Sequence, residues 1–353
     1  MGNILDYLAW RGDLPLSRVP FGAVDALVLA VLSYVRFGGL VPAGERVPLG
    51  RAAEGYLALP PARRRGRERD LDLLRALAEA PRFSGMELCR YADRFVPEEE
   101  SQFAALTVLT GDGSSFLAFR GTDGTLVGWK EDFNLSFLDV VPAQLEAAEY
   151  VRTWAEEFPG PVTLGGHSKG GNLAAAGACL CPGKVRDRIG RVYSFDGPGF
   201  GPYLLARPGY QELRTRIRSL VPQSSVVGLL LGHEEPCAVV ASDQEGLLQH
   251  NPYSWQVLGP GFIRVEGVDA GSRMIDRTLK GWLAGLTCQQ RETVAGTLYE
   301  LLSSGDARTV KEALQPANLV SALRAALGAD PKDLLTVAAS LARLGGAALR
   351  EAT

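Results

Sequence analysis

The feature that most constrains how this chain folds is a glycine-rich turn between an apolar run and an alanine-rich stretch. Val162 to Leu164 has the composition of a short strand, and Gly170 to Leu180 has the spacing of a helix. Four of the seven residues from 165 to 171 are glycine. Side chains at those positions would collide with the neighbouring strand or helix, so the pattern predicts a very sharp strand-to-helix turn.

The segments on both sides of this turn continue the alternation. Ala143 to Phe158 predicts a helix with one apolar face, and Arg191 to Phe195 predicts a strand after the turn's own helix. Further strand-like runs follow at Ser219 to Pro222 and at Cys237 to Ala241. Strand, helix, strand, helix and strand in this order indicate an α/β fold with a mostly parallel sheet flanked by helices.

Three regions are predicted along the chain. Residues 1–100 have mainly helical spacing and form a region packed on the core. The sheet is expected to begin at Phe103, with a hairpin over Gly111 to Gly113, and the α/β core extends over 101–270. Residues 271–353 are rich in Ala and Leu and predict a helical C-terminal region.

The glycine-rich turn contains the pattern G-x-S-x-G from Gly166 to Gly170. In a strand–turn–helix setting, this pattern holds a serine hydroxyl above the sheet at a helix N-terminus. Backbone N–H groups there stabilise a developing oxyanion, and the N–H of Lys169 is the natural first donor. Ser168 is therefore the candidate nucleophile; an ordinary glycine-rich turn is the alternative.

The motifs around Ser168 resemble those of the class 3 lipase group of α/β-hydrolases. The resemblance rests on Gly166 to Ala174, Phe119 to Thr122, and Trp129-x-x-Asp132. The chain looks still more like a bacterial family of that type, which shares the form G-H-S-K-G-G-N-L-A. That likeness adds Ser194 to Phe200 and Gln249 to Trp255, and it spans roughly residues 1 to 300.

The resemblance implies an α/β-hydrolase fold, with extra helices at both ends, and an oxyanion hole. The residue after F-R-G donates the second oxyanion hydrogen bond in the lipases, and here that residue is Thr122. Asp132 is expected to fix the oxyanion loop rather than to take part in the chemistry. The apolar segment 133–141 that follows is a lid, an acyl-binding wall or a plain core segment.

A serine needs a base, and this chain has three histidines. His167 precedes Ser168 on the turn, so its side chain is expected to point away from the hydroxyl and to be a structural packing residue. α/β-Hydrolases carry the base on a loop beyond the last strands, after the acid in chain order. His250 is therefore the preferred base, and His233 is expected to be a surface or pocket-lip residue.

The candidate acid of the triad lies at a different position from the acid of the class 3 lipases. The stretch in which those lipases carry an Asp corresponds here to Ser219 to Val226, which has no carboxylate. Asp196 follows the strand that ends at Phe195, where a ligand-facing group belongs in an open parallel sheet. Asp196 is the leading candidate, with Asp243 and Ser225 as alternatives and a turn-forming role as another reading of Asp196.

Lys169 is a second departure, because lipases usually carry an apolar residue after the nucleophile. A free cation there would favour substrates with a carboxylate or a phosphate. A lysine bonded to a neighbouring acidic side chain is at least as good a reading.

The amino-acid composition makes several kinds of partner and cofactor improbable. The 37 Lys and Arg and the 40 Asp and Glu give a net charge of −3, which disfavours nucleic acid or an anionic membrane as the main partner. The five cysteines contain no C-x-x-C pair, so neither a disulfide framework nor a zinc site is expected. We expect no metal and no other cofactor, no export signal or membrane-spanning segment, and a cytoplasmic location.

Together these features predict a serine hydrolase that cleaves carboxylic esters, such as an acyl-lipid, with Ser168, His250 and Asp196 as its triad. Two alternatives remain at the level of sequence. The missing lipase-position Asp suits a non-catalytic protein that binds an acyl ligand or a partner. The same triad also suits a thioesterase or a peptidase, because a triad does not by itself set the leaving group.

Overall fold

A computed structural model of the chain describes residues 1–64 and 66–352. Its strands are β1 (Val47–Pro48), β2 (Glu87–Val96), β3 (Ser101–Leu109), β4 (Ser115–Phe119), β5 (Val162–His167), β6 (Ile189–Phe195), β7 (Ile217–Pro222), β8 (Cys237–Val240), β9 (Val257–Leu258), β10 (Gly261–Phe262) and β11 (Arg264–Val265).

The helices fall into two groups along the chain. Those before and within the sheet are α1 (Ile4–Arg11), α2 (Ala23–Leu32), α3 (Leu49–Leu57), α4 (Glu68–Glu79), α5 (Pro81–Ser84), α6 (Leu126–Asn134), α7 (Pro142–Glu157), α8 (Lys169–Leu180), α9 (Gly183–Arg186), α10 (Pro202–Leu205) and α11 (Pro208–Leu213). Those after it are α12 (Ala270–Ala284), α13 (Cys288–Ser303), α14 (Val310–Ala313), α15 (Pro316–Gly328) and α16 (Pro331–Ala352).

The described residues form one nine-stranded sheet in the order β1-β2-β3-β4-β5-β6-β7-β8-β11, beside a two-stranded β9–β10 ribbon. Neighbours from β1 to β4 are antiparallel, those from β4 to β8 are parallel, and β11 returns antiparallel to β8. The predicted β3–β4 hairpin is confirmed, with Gly111 and Gly113 at positive φ in its turn. This mixed sheet, which is parallel from β4 to β8 and has helices on its faces, is an α/β-hydrolase fold.

Helices cover both faces of the sheet, and all five side chains of β4 are buried. Phe116 and Ala118 of β4 pack into one apolar cluster with the N-terminal helices α1 to α4. Leu117 and Phe119 pack into a second cluster, with α7, α8 and α11. Successive side chains of a strand point to opposite faces, so β4 is a central layer between two sets of helices.

The sheet begins earlier than the sequence pattern predicts. β2 pairs antiparallel with β3, so the expectation that the sheet starts at Phe103 was wrong. The register of β2 shifts between Cys89 and Ala92, and Arg90 adopts a positive φ of 52°. This irregularity interrupts the alternation of apolar and polar residues from which a strand is recognised.

The C-terminal helices pack on one another and on α6. The backbone of Thr309 forms a β-bridge with Thr125, and Leu126, at the start of α6, packs in a small apolar cluster with Ala307 and Ala313. None of the helices in the described parts of the chain has a stretch that is both long and apolar enough to cross a membrane.

Candidate active site

Ser168 lies between β5 and α8, at the edge of the sheet where the parallel strands end. Its backbone is strained, with φ 59° and ψ −136°, outside the regions that non-glycine residues favour. A Cβ at Gly166 would lie 2.2 Å from the backbone of Gly170, and a Cβ at Gly170 would lie 2.1 Å from the carbonyl oxygen of Phe119. The close approach of the three segments therefore requires glycine at both positions.

His250 and Asp196 are joined by a hydrogen bond. Asp196 follows β6 directly, at a positive φ of 50°, and His250 ends a short 3-10 turn over Gly246–His250. The imidazole donates from Nδ1 to Oδ2 of Asp196 over 2.6 Å. Because Nδ1 carries the proton in this arrangement, Nε2 of a neutral His250 has a free lone pair and can act as a base.

The second carboxylate oxygen of Asp196 is also bonded. Oδ1 accepts the hydroxyl of Ser225 over 2.5 Å and the N–H of Gly228 over 3.1 Å. Ser225 therefore bonds the carboxylate rather than the imidazole. Asp243 is exposed and uses its backbone N–H to bond Ser254. Of the three candidate partners of His250, the structure brings Asp196 into contact with it.

His167 bonds the backbone of His250. Its Nε2 donates to the carbonyl oxygen of His250 over 2.7 Å, and its Nδ1 accepts the hydroxyl of Tyr34 over 3.1 Å. The two imidazole rings lie 4.6 Å apart between centroids. Burial, together with the nearby charge of His250, holds the pKa of His167 well below its usual value. His167 is thus a neutral support of the His250 loop, a role that the sequence does not reveal.

The motif from Gln249 to Trp255 holds the same loop from its other side. The indole N–H of Trp255 donates to the carbonyl oxygen of Gln249 over 2.9 Å. The side-chain oxygen of Gln249 accepts the N–H of Ser224 over 2.8 Å. These bonds tie the His250 turn to the loop after β7, which also carries Ser225.

His233 has a different partner. Its Nδ1 bonds Glu235 at 2.7 Å, and the same carboxylate oxygen accepts the hydroxyl of Ser219. His233 therefore belongs to a polar cluster before β8 rather than to the Asp196 carboxylate.

Thr122 lies on the loop between β4 and α6. Its hydroxyl donates to Oδ2 of Asp132 over 2.6 Å, so that proton is already engaged. Among the described residues, the backbone N–H groups of Thr122 and Lys169 have no hydrogen-bond partner. Both N–H groups are therefore available to donate to a ligand. Burial raises the pKa of the Asp132 carboxyl to about 6, against the lowering effects of Lys169 and of the Thr122 hydrogen bond.

Lys169 turns its side chain into the protein interior. Its Nζ donates to Glu131 over 2.7 Å and to the carbonyl oxygen of Gln102 over 3.0 Å, and the side chain is 1% exposed. Glu131 also accepts the N–H of Ala143. Of the two interpretations of Lys169, the ion-paired one agrees with the structure, because the cation faces a buried carboxylate and not open space.

A cavity of about 290 Å³ opens beside Ser168 and has a mainly apolar lining. Phe133 and Leu135 contribute to its wall, so part of the segment 133–141 lines the site. Asp132 and Lys169 border the same cavity near the serine.

Several solved lipase structures resemble this chain at low sequence identity. Rhizomucor miehei lipase, in its propeptide complex, is 16% identical with a TM-score of 0.36, covering 47% of this chain and 60% of that one. A variant of MDLA from Penicillium cyclopium is 12% identical with a TM-score of 0.43, covering 70% and 87%. A lipase from Rhizopus microsporus var. chinensis is 14% identical with a TM-score of 0.36, covering 58% and 80%.

No curated protein matches the sequence. Residues 77–300 match the sequence profile described as Mbeg1-like. That range runs from α4 to α13 and contains Ser168, Asp196 and His250. Since the match covers more than half of the 353 residues, the chain belongs to the Mbeg1-like family.

Proposed function

We propose that the protein is a serine hydrolase that cleaves carboxylic esters through an acyl-enzyme on Ser168. The observation that carries the proposal is the 2.6 Å hydrogen bond between His250 and Asp196, at the sheet edge that also carries the strained Ser168 turn. A buried carboxylate bonded to one imidazole nitrogen, with a serine on a nucleophile turn, is the constellation of a catalytic triad.

In this proposal His250 is the general base and then the general acid. Its Nε2 takes the proton of the Ser168 hydroxyl while Oγ attacks the ester carbonyl carbon. The oxyanion of the tetrahedral intermediate accepts hydrogen bonds from the N–H groups of Thr122 and Lys169. When the C–O bond breaks, His250 gives its proton to the leaving alcohol. Water, activated by the same imidazole, then releases the acid and restores Ser168.

Asp196 orients the imidazole and stabilises its charged form. It is 1% exposed, and the bonds from Ser225 and Gly228 leave Oδ2 directed at His250. A carboxylate fixed in this way favours the tautomer that has a free Nε2. The mainly apolar lining beside Ser168 suits the acyl part of an ester better than a charged group.

An activity-based probe tests the proposal. A fluorophosphonate should label the intact protein on Ser168, and Ser168→Ala should lose that label while keeping the circular dichroism spectrum. The variant His233→Ala should be labelled as the wild type is. If correctly folded wild-type protein takes no label, the alternative of a non-catalytic protein that binds an acyl ligand gains support.

The bond that is cleaved needs a separate measurement. A matched panel of esters, thioesters and amides with the same acyl groups should show turnover of the esters first. Preferential turnover of thioesters or amides would keep the nucleophile and overturn the proposed reaction class.

A further inference from the structure

The cavity beside Ser168 has a polar end and an apolar body. Four of its lining residues are polar, namely Asp132, Ser136, Ser168 and Lys169, and the side chain of Lys169 is directed away to Glu131. The remaining lining residues are all apolar, namely Phe133, Leu135, Pro198, Val227, Leu230, Leu231, Leu279, Trp282 and Leu283. A space with a nucleophile at one end and hydrocarbon walls is suited to a ligand with one reactive end and an apolar chain.

One wall of this cavity comes from α12, outside the strand–helix core. Leu279, Trp282 and Leu283 are spaced by three and four residues, so they share one face of the helix. The ring of Trp282 meets the ring of Phe133 edge-on, with centroids 6.2 Å apart. The cavity is therefore incomplete without the C-terminal helices.

The start of α12 is fastened to the loop that follows β7. Asp269 caps the helix by accepting the N–H of Ser272 over 2.7 Å. The backbone N–H of Asp269 donates to the carbonyl oxygen of Gln223 over 2.8 Å, and its carboxylate accepts the hydroxyl of Ser224. This end of the wall is thus tied to the loop that carries Ser225, the partner of Asp196.

The far end of α12 is fastened as well. The indole N–H of Trp282 donates to the carbonyl oxygen of Ser340 on α16 over 2.9 Å. Arg291 on α13 donates to the carbonyl oxygens of Leu283 and of Ser136, which both line the cavity. Because both ends of α12 are held, the wall that contains Trp282 has a fixed position.

From this geometry we infer that the cavity binds a linear acyl chain of medium length and that Trp282 on α12 sets the length limit. The inference rests on the proposed function and specifies its substrate class. With a volume of about 290 Å³ and a mainly apolar lining, the cavity has room for an acyl chain of medium length. A longer chain meets the side chains of α12 and has to leave the cavity.

A chain-length series tests the limit. The ratio of kcat/KM for p-nitrophenyl tetradecanoate to that for the octanoate is compared between variants. Trp282→Ala should raise this ratio about tenfold or more, because added methylenes then find apolar space. Leu279→Phe, which fills the cavity, should move the optimum to shorter chains. Leu323→Ala on α15, which removes an exposed apolar side chain, is the matched control and should leave the ratio unchanged.

Two variants distinguish a general loss of packing around residue 282 from a specific change in the length of the cavity. Trp282→Phe keeps an aromatic ring opposite Phe133 but loses the bonds to Ser340, and the chain-length optimum should stay at or near the wild-type value. If Trp282→Ala fails to fold, Leu279→Phe still decides the matter, because it adds volume to the cavity. Hydrolysis with the same chain-length optimum in all the folded cavity variants overturns the inference.

A binding measurement distinguishes failure of this inference from failure of the proposed function. Primary amides of six to fourteen carbons are titrated by calorimetry into Ser168→Ala, with and without Trp282→Ala. Binding that is tightest at an intermediate chain length and shifts to longer chains in the double variant supports the cavity assignment even if no ester is turned over. Absence of binding, or affinity independent of chain length, overturns it.

Discussion

The side chain of His167 donates from Nε2 to the backbone carbonyl oxygen of His250 over 2.7 Å, across 83 residues of sequence. The residue before the candidate nucleophile thus supports the loop of the candidate base. This bond holds the backbone of His250 in place, while the imidazole of His250 bonds Asp196. Two of the three histidines are consequently part of one arrangement, and they have different tasks.

The two half-buried candidates for the base, His250 and His233, are separated by paired substitutions. His250→Ala should lower kcat on a p-nitrophenyl ester by about 10⁴-fold, because Ser168 then has no group to accept its proton. His233→Ala should keep activity close to that of the wild type, because its Nδ1 bonds Glu235. The opposite pattern would assign the base to His233.

The orienting role of Asp196 is tested without changing the size of the side chain. In Asp196→Asn the amide disfavours a proton on Nδ1 of His250, so the proton moves to Nε2 and the base is lost. We expect kcat to fall by about 10⁴-fold with little change in KM. Asp243→Asn, at the exposed alternative, is the control. An equal effect of the two substitutions would contradict the role of Asp196.

A substitution at Gly228, whose N–H bonds Asp196, tests whether the position of the Asp196 carboxylate matters. A Cβ at Gly228 would lie 2.3 Å from Oδ1 of Asp196, so Gly228→Ala displaces the carboxylate or the turn. We expect a loss of about 10²-fold in kcat, which is typical of a misplacement near 1 Å. Gly201→Ala is the matched control, because nothing lies within 4 Å of a Cβ there. Wild-type kinetics for Gly228→Ala would show that the acid tolerates displacement.

The buried Asp132 predicts a pH-dependent stability. Its pKa rises from 3.8 to about 6 on folding, so the unfolded chain ionises first as pH increases. The free energy of unfolding therefore falls as the pH rises from about 4 to above 6. The full loss is about 3 kcal/mol. Urea unfolding of wild type and Asp132→Asn should show the variant gaining relative stability over that range. A difference that does not vary with pH would refute the buried-carboxyl interpretation.

The Lys169–Glu131 pair predicts a structural effect rather than a substrate preference. Lys169→Met leaves Glu131 buried without its cation and should cost roughly 3–5 kcal/mol of unfolding free energy. Lys184→Met, at an exposed lysine, should change stability little. Comparison of neutral and carboxylate-bearing esters completes the test. A selective loss of the anionic ester in Lys169→Met would instead indicate that the cation binds substrate.

Local patterns determined the parts of this protein that depend on neighbours in sequence. The turn at Ser168 follows from glycines that let β5, α8 and the end of β4 approach closely. The alternation of strands and helices from β4 to β8 follows from runs of apolar residues with regular periods. Both can be predicted because each depends on a few consecutive residues. β2 was missed because its bulge at Arg90 removes the period from the sequence.

Tertiary structure decided which distant residues meet. Asp196 and His250 are separated by 54 residues, and nothing in either segment specifies that their side chains share a hydrogen bond. The partner of Lys169 is Glu131, which lies on another helix, and the wall of the cavity at Trp282 comes from a helix beyond the core. Such contacts depend on how the sheet order and the helix packing bring remote segments together. The sequence alone supplies the chemical groups, and the packing of the C-terminal helices against α6 supplies the space in which they act.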